Sequence, residues 1–121
     1  MTVLLVALGG AAGAPARYLL DKAITARQSS QFPWGTFVVN MLGCLALGVL
    51  AGATLAGPTL AGHVFALLGT GFCGAFTTYS TFAYEAVALA ERRAVRSSAA
   101  YTLGSVAGGL MLAAAGYALT S

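Results

Sequence analysis

Charge is what this sequence lacks most. Of 121 residues only 7% are charged, six Lys or Arg and three Asp or Glu, and none falls between Arg27 and Glu85. A soluble domain carries roughly 25% charged residues, so the chain is not one. Histidine is nearly absent: His63 stands alone in an expected turn, with no Cys, Asp or Glu at ligand spacing. Cysteine is scarce too, and Cys44 and Cys73 both fall in apolar stretches, implying neither a disulfide framework nor a metal site. No base accompanies the hydroxyl groups to activate a nucleophile, and no phosphate-binding loop occurs. Neither enzyme chemistry nor a nucleic-acid partner is expected. No cationic residue precedes the apolar run VLLVAL, so a cleaved signal peptide is not expected.

Apolar length is what the sequence has instead, with 59% hydrophobic residues and 16 glycines. A membrane crossing takes about 20 apolar residues. Four spans are read, at 2–20, 34–56, 62–90 and 98–119, making residues 1–121 a single four-helix membrane domain. DKAITARQSSQFP, GPTLAG and ERRAVR separate them. The third span is too long for one straight crossing, which predicts tilt or a break. With four spans, Arg17, Lys22, Arg27, Arg92, Arg93 and Arg96 collect on one side. The opposite side has no Lys or Arg, so the positive-inside rule turns both termini outward.

Gly9/Gly13, Gly48/Gly52 and Gly104/Gly108 each repeat at four residues, on three different spans. Small residues at that spacing share a helix face and let backbones approach closely. Four short helices hardly enclose a pathway alone, so oligomerisation is expected.

Polar groups in hydrocarbon are costly unless satisfied, and they mark function or packing. Asn40, in WGTFVVNMLG, offers two donors and one acceptor. It can bind an anion through its NH₂, or it can tie helices together. In GFCGAFTTYSTFAYE, Gly71 and Gly74 precede five consecutive hydroxyl residues, Thr77 to Thr81. Glycine permits unusual backbone angles, and Ser/Thr hydroxyls satisfy freed backbone groups. An interrupted helix of this kind points carbonyls at a cation and N–H groups at an anion.

Tyr79 and Phe82 are three apart, with Phe76 extending the stripe. Their positive ring edges can line an anion path, and plain packing gives the same spacing. Tyr101 and Ser105 form a narrow hydroxyl track on the fourth span, which helix packing also explains. Glu85 follows near the end of the break-bearing helix, where a wet vestibule would hold its carboxylate. Arg17 closes GGAAGAPARY and can draw anions to a pore mouth or snorkel.

GGAAGAPARY (9–18), WGTFVVNMLG (34–43) and GFCGAFTTYSTFAYE (71–85) together resemble the signatures of the Fluc/CrcB fluoride channels. The resemblance runs over the whole chain in length, span count and motif order. It implies an all-α integral membrane fold of four helices with the third broken at its centre. It also implies a dimer of two antiparallel, dual-topology subunits and a structural Na⁺ on the central axis. Carried over, backbone carbonyls of Gly74 and Thr77 would hold the Na⁺, with both subunits contributing. Asn40, Tyr79, Phe82, Tyr101 and Ser105 would line the fluoride pathway, together with Ser80 and Thr81. Arg17 and Glu85 match motif positions at its vestibule. The sequence departs at Tyr79, commonly Phe in the family, at Ala75, often glycine, and at Gly109, a hydroxyl residue in some members.

The implied function is passive, selective fluoride export across a plasma membrane, in a prokaryote the inner membrane. The partners are fluoride, the lipid bilayer and a second copy. The lopsided Lys/Arg distribution also allows an oppositely oriented paralogue as that second chain. A proton-coupled small multidrug-type transporter and a non-transporting assembly subunit are the competing readings.

Overall fold

The computed structural model describes residues 2–28, 32–56 and 62–121. The described residues are helical, joined by turns. Helix α1 covers Thr2–Ala26 and α2 covers Trp34–Ala56. Helix α3 covers 62–76, α4 Ser80–Glu91 and α5 Val95–Thr120. The turn expected at GPTLAG falls on 57–62, of which 57–61 lie outside the described residues.

Three helices, α1, α2 and α5, are long and apolar enough to cross a membrane unbroken. Helix α1 outruns its apolar stretch: DKAITA, expected in a turn, is helical to Ala26. Charge and helix are compatible there once the chain leaves the lipid, and the Thr25 hydroxyl donates to Asp21 Oδ1 one turn back at 3.4 Å.

The long third span is broken, as its length predicted. Helix α3 stops at Phe76, Thr77 turns to extended backbone (φ −84°, ψ 161°), and α4 starts at Ser80. Hydroxyls cover the gap: Thr77 Oγ1 donates to Cys73 O at 2.9 Å, and Thr78 Oγ1 accepts the Thr81 N–H at 3.3 Å. Over Phe65–Cys73, α3 is wound as a π-helix, a wider coil that periodicity had not predicted.

Glycine sets the packing at two of the three spaced pairs. A Cβ on Gly9 would strike the Leu67 carbonyl, and one on Gly13 the Phe72 carbonyl, so α1 and α3 touch backbone to backbone. Gly48 and Gly52 do the same for α2 against α5, at Ala113 and Tyr117. Gly104 and Gly108 do not: their nearest neighbours are the side chains of Phe37 and Met41. Gly116 serves in their place, against Leu45 and Val49 backbone. Thr120 Oγ1 adds a bond across the α2–α5 seam to Val49 O at 3.0 Å.

The basic turn is only three residues long, Arg92 to Ala94. Arg93 adopts φ 61°, while the Arg93 N–H donates to Ala90 O at 3.1 Å and the Ala94 N–H to Leu89 O at 2.9 Å. This is a Schellman stop, with arginine in the left-handed position that glycine usually takes. It turns the chain sharply into α5, where Ser98 Oγ donates to Ala86 O of α4 at 2.7 Å.

Candidate functional site

The break is held from outside by α2. Asn40 Nδ2 donates to Thr78 O at 3.1 Å, and Asn40 Oδ1 accepts the Thr78 N–H at 2.9 Å. The side-chain amide thus pairs with the Thr78 peptide as a strand neighbour would. Gly43, one turn further along α2, allows that approach: a Cβ there would strike Thr77 Cγ2. The pairing takes one of two Nδ2 hydrogens and leaves the other free to bind.

A cavity of about 560 Å³ opens against the break. Asn40, Gly74, Thr77, Tyr79, Phe82 and Ser105 line it, so six residues singled out by the sequence meet in one space. Thr78 lines it as well, although it had drawn no separate role. Its signal is a backbone one, the peptide left unpaired by a helix break, and no residue type announces it. Among the described residues this cavity is lined by no charged side chain. The Ser105 hydroxyl is buried beside it with no hydrogen-bond partner among the described residues.

The aromatic residues run in a row. Tyr79 and Phe82 have ring centroids 6.2 Å apart, and Phe82 and Tyr101 5.1 Å apart. The ends of the row differ: Tyr79 is 80% exposed and Tyr101 is 0% exposed. Behind Tyr101, its hydroxyl donates to Glu85 Oε1 at 3.4 Å, next to the buried Thr36. Glu85, expected near the end of the break-bearing helix, lies six residues before the end of α4 at Glu91 and is half-buried.

A second cavity of about 140 Å³ lies between α1, α2 and the break. Arg17, Asp21, Thr36, Thr78 and Thr81 border it, which places Arg17 and Thr81 apart from the larger space. Ser80 is exposed and borders neither cavity.

A cation can be matched to the break by its oxygens. An unbroken helix would give the Thr78 N–H to Gly74 O and the Thr81 N–H to Thr77 O, each four residues back. Here both donors go elsewhere, to Asn40 Oδ1 and Thr78 Oγ1. Two carbonyls are thereby released at a backbone whose Gly74 is exposed on the cavity side. Hard oxygen donors of this kind suit Na⁺.

Three apolar helices long enough to cross a membrane, and a fourth interrupted where it opens onto an uncharged, polar-edged cavity, mark an integral membrane protein. The model of the family described as CrcB-like protein, Camphor Resistance (CrcB), matches residues 4–117. A relative from Rhodococcus jostii, named fluoride-specific ion channel FluC 2, is 54% identical over all of both chains. One from Streptomyces avermitilis, named fluoride-specific ion channel FluC 1, is 51% identical over 96% of this chain and 93% of its own. A third, from Frankia casuarinae and also named FluC 1, is 50% identical over 98% of this chain and 95% of its own. The chain belongs to the CrcB family. It is a multi-pass protein of the prokaryotic plasma membrane and not an enzyme.

Proposed function

We propose that the chain is a fluoride-selective channel that lets fluoride leave the cytoplasm down its electrochemical gradient. The observation that carries this reading is end-to-end similarity to proteins named fluoride-specific ion channels.

Fluoride is small and tightly hydrated, so a pore has to replace its water with donors at each step. The spare Nδ2 hydrogen of Asn40, the unpartnered Ser105 hydroxyl and the ring edges of Tyr79 and Phe82 are such donors. All are neutral, which suits conduction, because an ion has to bind weakly enough to leave. Arg17, set off in the smaller cavity, draws anions toward the mouth without trapping them in the path. An uncharged larger cavity also favours a channel over a proton-coupled drug transporter, which needs a titratable carboxylate in its substrate space. Glu85 faces Tyr101 instead.

The Gly74 and Thr77 carbonyls would hold a structural Na⁺. When bound, the ion supplies positive charge that offsets the cost of bringing anions near the core. Two carbonyls from one chain form half of a four-oxygen cage, and an antiparallel second copy would supply the other half. The 80% exposure of Tyr79 at the cavity edge also leaves room for a partner there. The Lys/Arg bias of the loops keeps an oppositely oriented paralogue as the alternative partner.

Growth on fluoride separates these arrangements. Expressed alone in cells stripped of fluoride export, the chain is expected to restore growth, as a homodimer would. Growth restored only with an oppositely biased paralogue selects the heterodimer. Failure under both conditions, with the protein present in the membrane, sinks the fluoride reading.

A further inference from the structure

The Thr78 peptide is clamped on both edges. Its N–H and carbonyl pair with the Asn40 amide at 2.9 and 3.1 Å. Its own hydroxyl takes the Thr81 N–H at 3.3 Å and donates to Thr81 Oγ1 at 3.2 Å. Those two N–H groups are the ones an intact helix would send to Gly74 O and Thr77 O. The carbonyls that the clamp strips of their helical donors are therefore the ones assigned above to Na⁺. Side chains on two elements, one on α2 and one in the break, converge on that result.

We infer that Asn40 and Thr78 are positioning residues for the cation, setting its affinity by keeping the Gly74 and Thr77 carbonyls unshared, although neither side chain touches the ion. This rests on the Na⁺ reading above. The reasoning is a competition for oxygen: a carbonyl recaptured by a backbone N–H gives up lone-pair density to it and loses its outward aim. Without the Thr78 hydroxyl, the Thr81 N–H is free to return to Thr77 O. Without the Asn40 amide, the Thr78 N–H is free to return to Gly74 O. In both cases the helix heals toward continuity at the expense of the site. Asn40 then has two functions in one amide, its Oδ1 opening the cation site and its spare N–H facing the anion.

The test uses the full-length protein, titrated with NaCl against choline chloride at constant ionic strength. The thermal unfolding midpoint reports cation binding independently of flux, because a ligand of the folded state raises it. Fluoride efflux from liposomes is followed over the same Na⁺ range. Thr78→Val removes the hydroxyl and keeps the shape, and it is expected to raise half-saturating Na⁺ about tenfold, as one recovered hydrogen bond commands. Thr78→Ser restores the hydroxyl and is expected to restore the affinity. Asn40→Ala, read by the same midpoint titration, shifts in the same direction and keeps the test decisive should Thr78→Val fail to assemble. Half-saturation unchanged from wild type in the variants that fold overturns the inference while leaving the Na⁺ reading intact. A wild-type midpoint indifferent to Na⁺ overturns the Na⁺ reading itself and the inference with it.

Discussion

Asn40→Asp abolishes fluoride flux while the protein still folds and assembles. Aspartate keeps an oxygen for the Thr78 N–H, now bonded at 2.9 Å to Asn40 Oδ1, so the break stays pinned on that edge. It loses both Nδ2 hydrogens, the one given to Thr78 O at 3.1 Å and the one facing the cavity. In its ionised form it also sets a negative charge beside the anion path. Two unit charges 4 Å apart repel by about 4 kcal/mol at an effective dielectric of about 20. At about 1.4 kcal/mol per tenfold, that amounts to a fall of several hundredfold. Efflux from liposomes measures the loss, and size-exclusion elution at the wild-type position shows that the assembly survives. Flux near wild type would remove Asn40 from the pathway.

Gly9→Ala destroys the packing that Gly104→Ala leaves alone, although the chemical change is the same single methyl. On Gly9 the new carbon would strike the Leu67 carbonyl and stand 2.7 Å from Phe72 N. Those are backbone atoms, and they cannot turn aside as a side chain does. Helices α1 and α3 have to separate along their whole contact, and overpacking of this kind costs about 1–3 kcal/mol or more. On Gly104 the methyl would meet only Phe37 Cε2 at 3.7 Å, an ordinary contact. The expected result is a sharply lowered thermal midpoint and poor recovery of folded protein for Gly9→Ala, with Gly104→Ala matching wild type. Equal behaviour of the two variants would contradict the helix pairing.

Much of the fold was legible because lipid leaves few choices. Apolar length marked the crossings, and a hydroxyl run too polar for an unbroken span marked the break at Thr77. Spacing was less reliable. Gly104/Gly108 repeats at four residues as Gly9/Gly13 does, and only the neighbouring backbone tells which pair brings helices together. The π-helix over Phe65–Cys73 was invisible, because no residue pattern marks its wider coil. DKAITA read as a turn because charge ends an apolar span, yet charge does not end a helix.

The site was half legible for the same kind of reason. Asn40 and the hydroxyl run stood out as polar groups in lipid, and they do meet at one cavity. Their connection did not stand out, since Asn40 bonds the backbone of Thr78 and any residue at that position has the same peptide. Ser80 belongs to the run by sequence, but one residue along the new helix α4 turns it away from both cavities. Tyr79, the departure from the phenylalanine common in the family, is the exposed end of the aromatic row, where a phenol can meet water or a partner.

Anion efflux from liposomes bearing the purified protein, with fluoride and chloride compared under the same gradient in Na⁺, is the most direct test. Fluoride is expected to leave rapidly and passively, with chloride retained at the level of protein-free vesicles. Equal release of the two anions, or fluoride release no faster than from empty vesicles, would contradict a fluoride-selective channel.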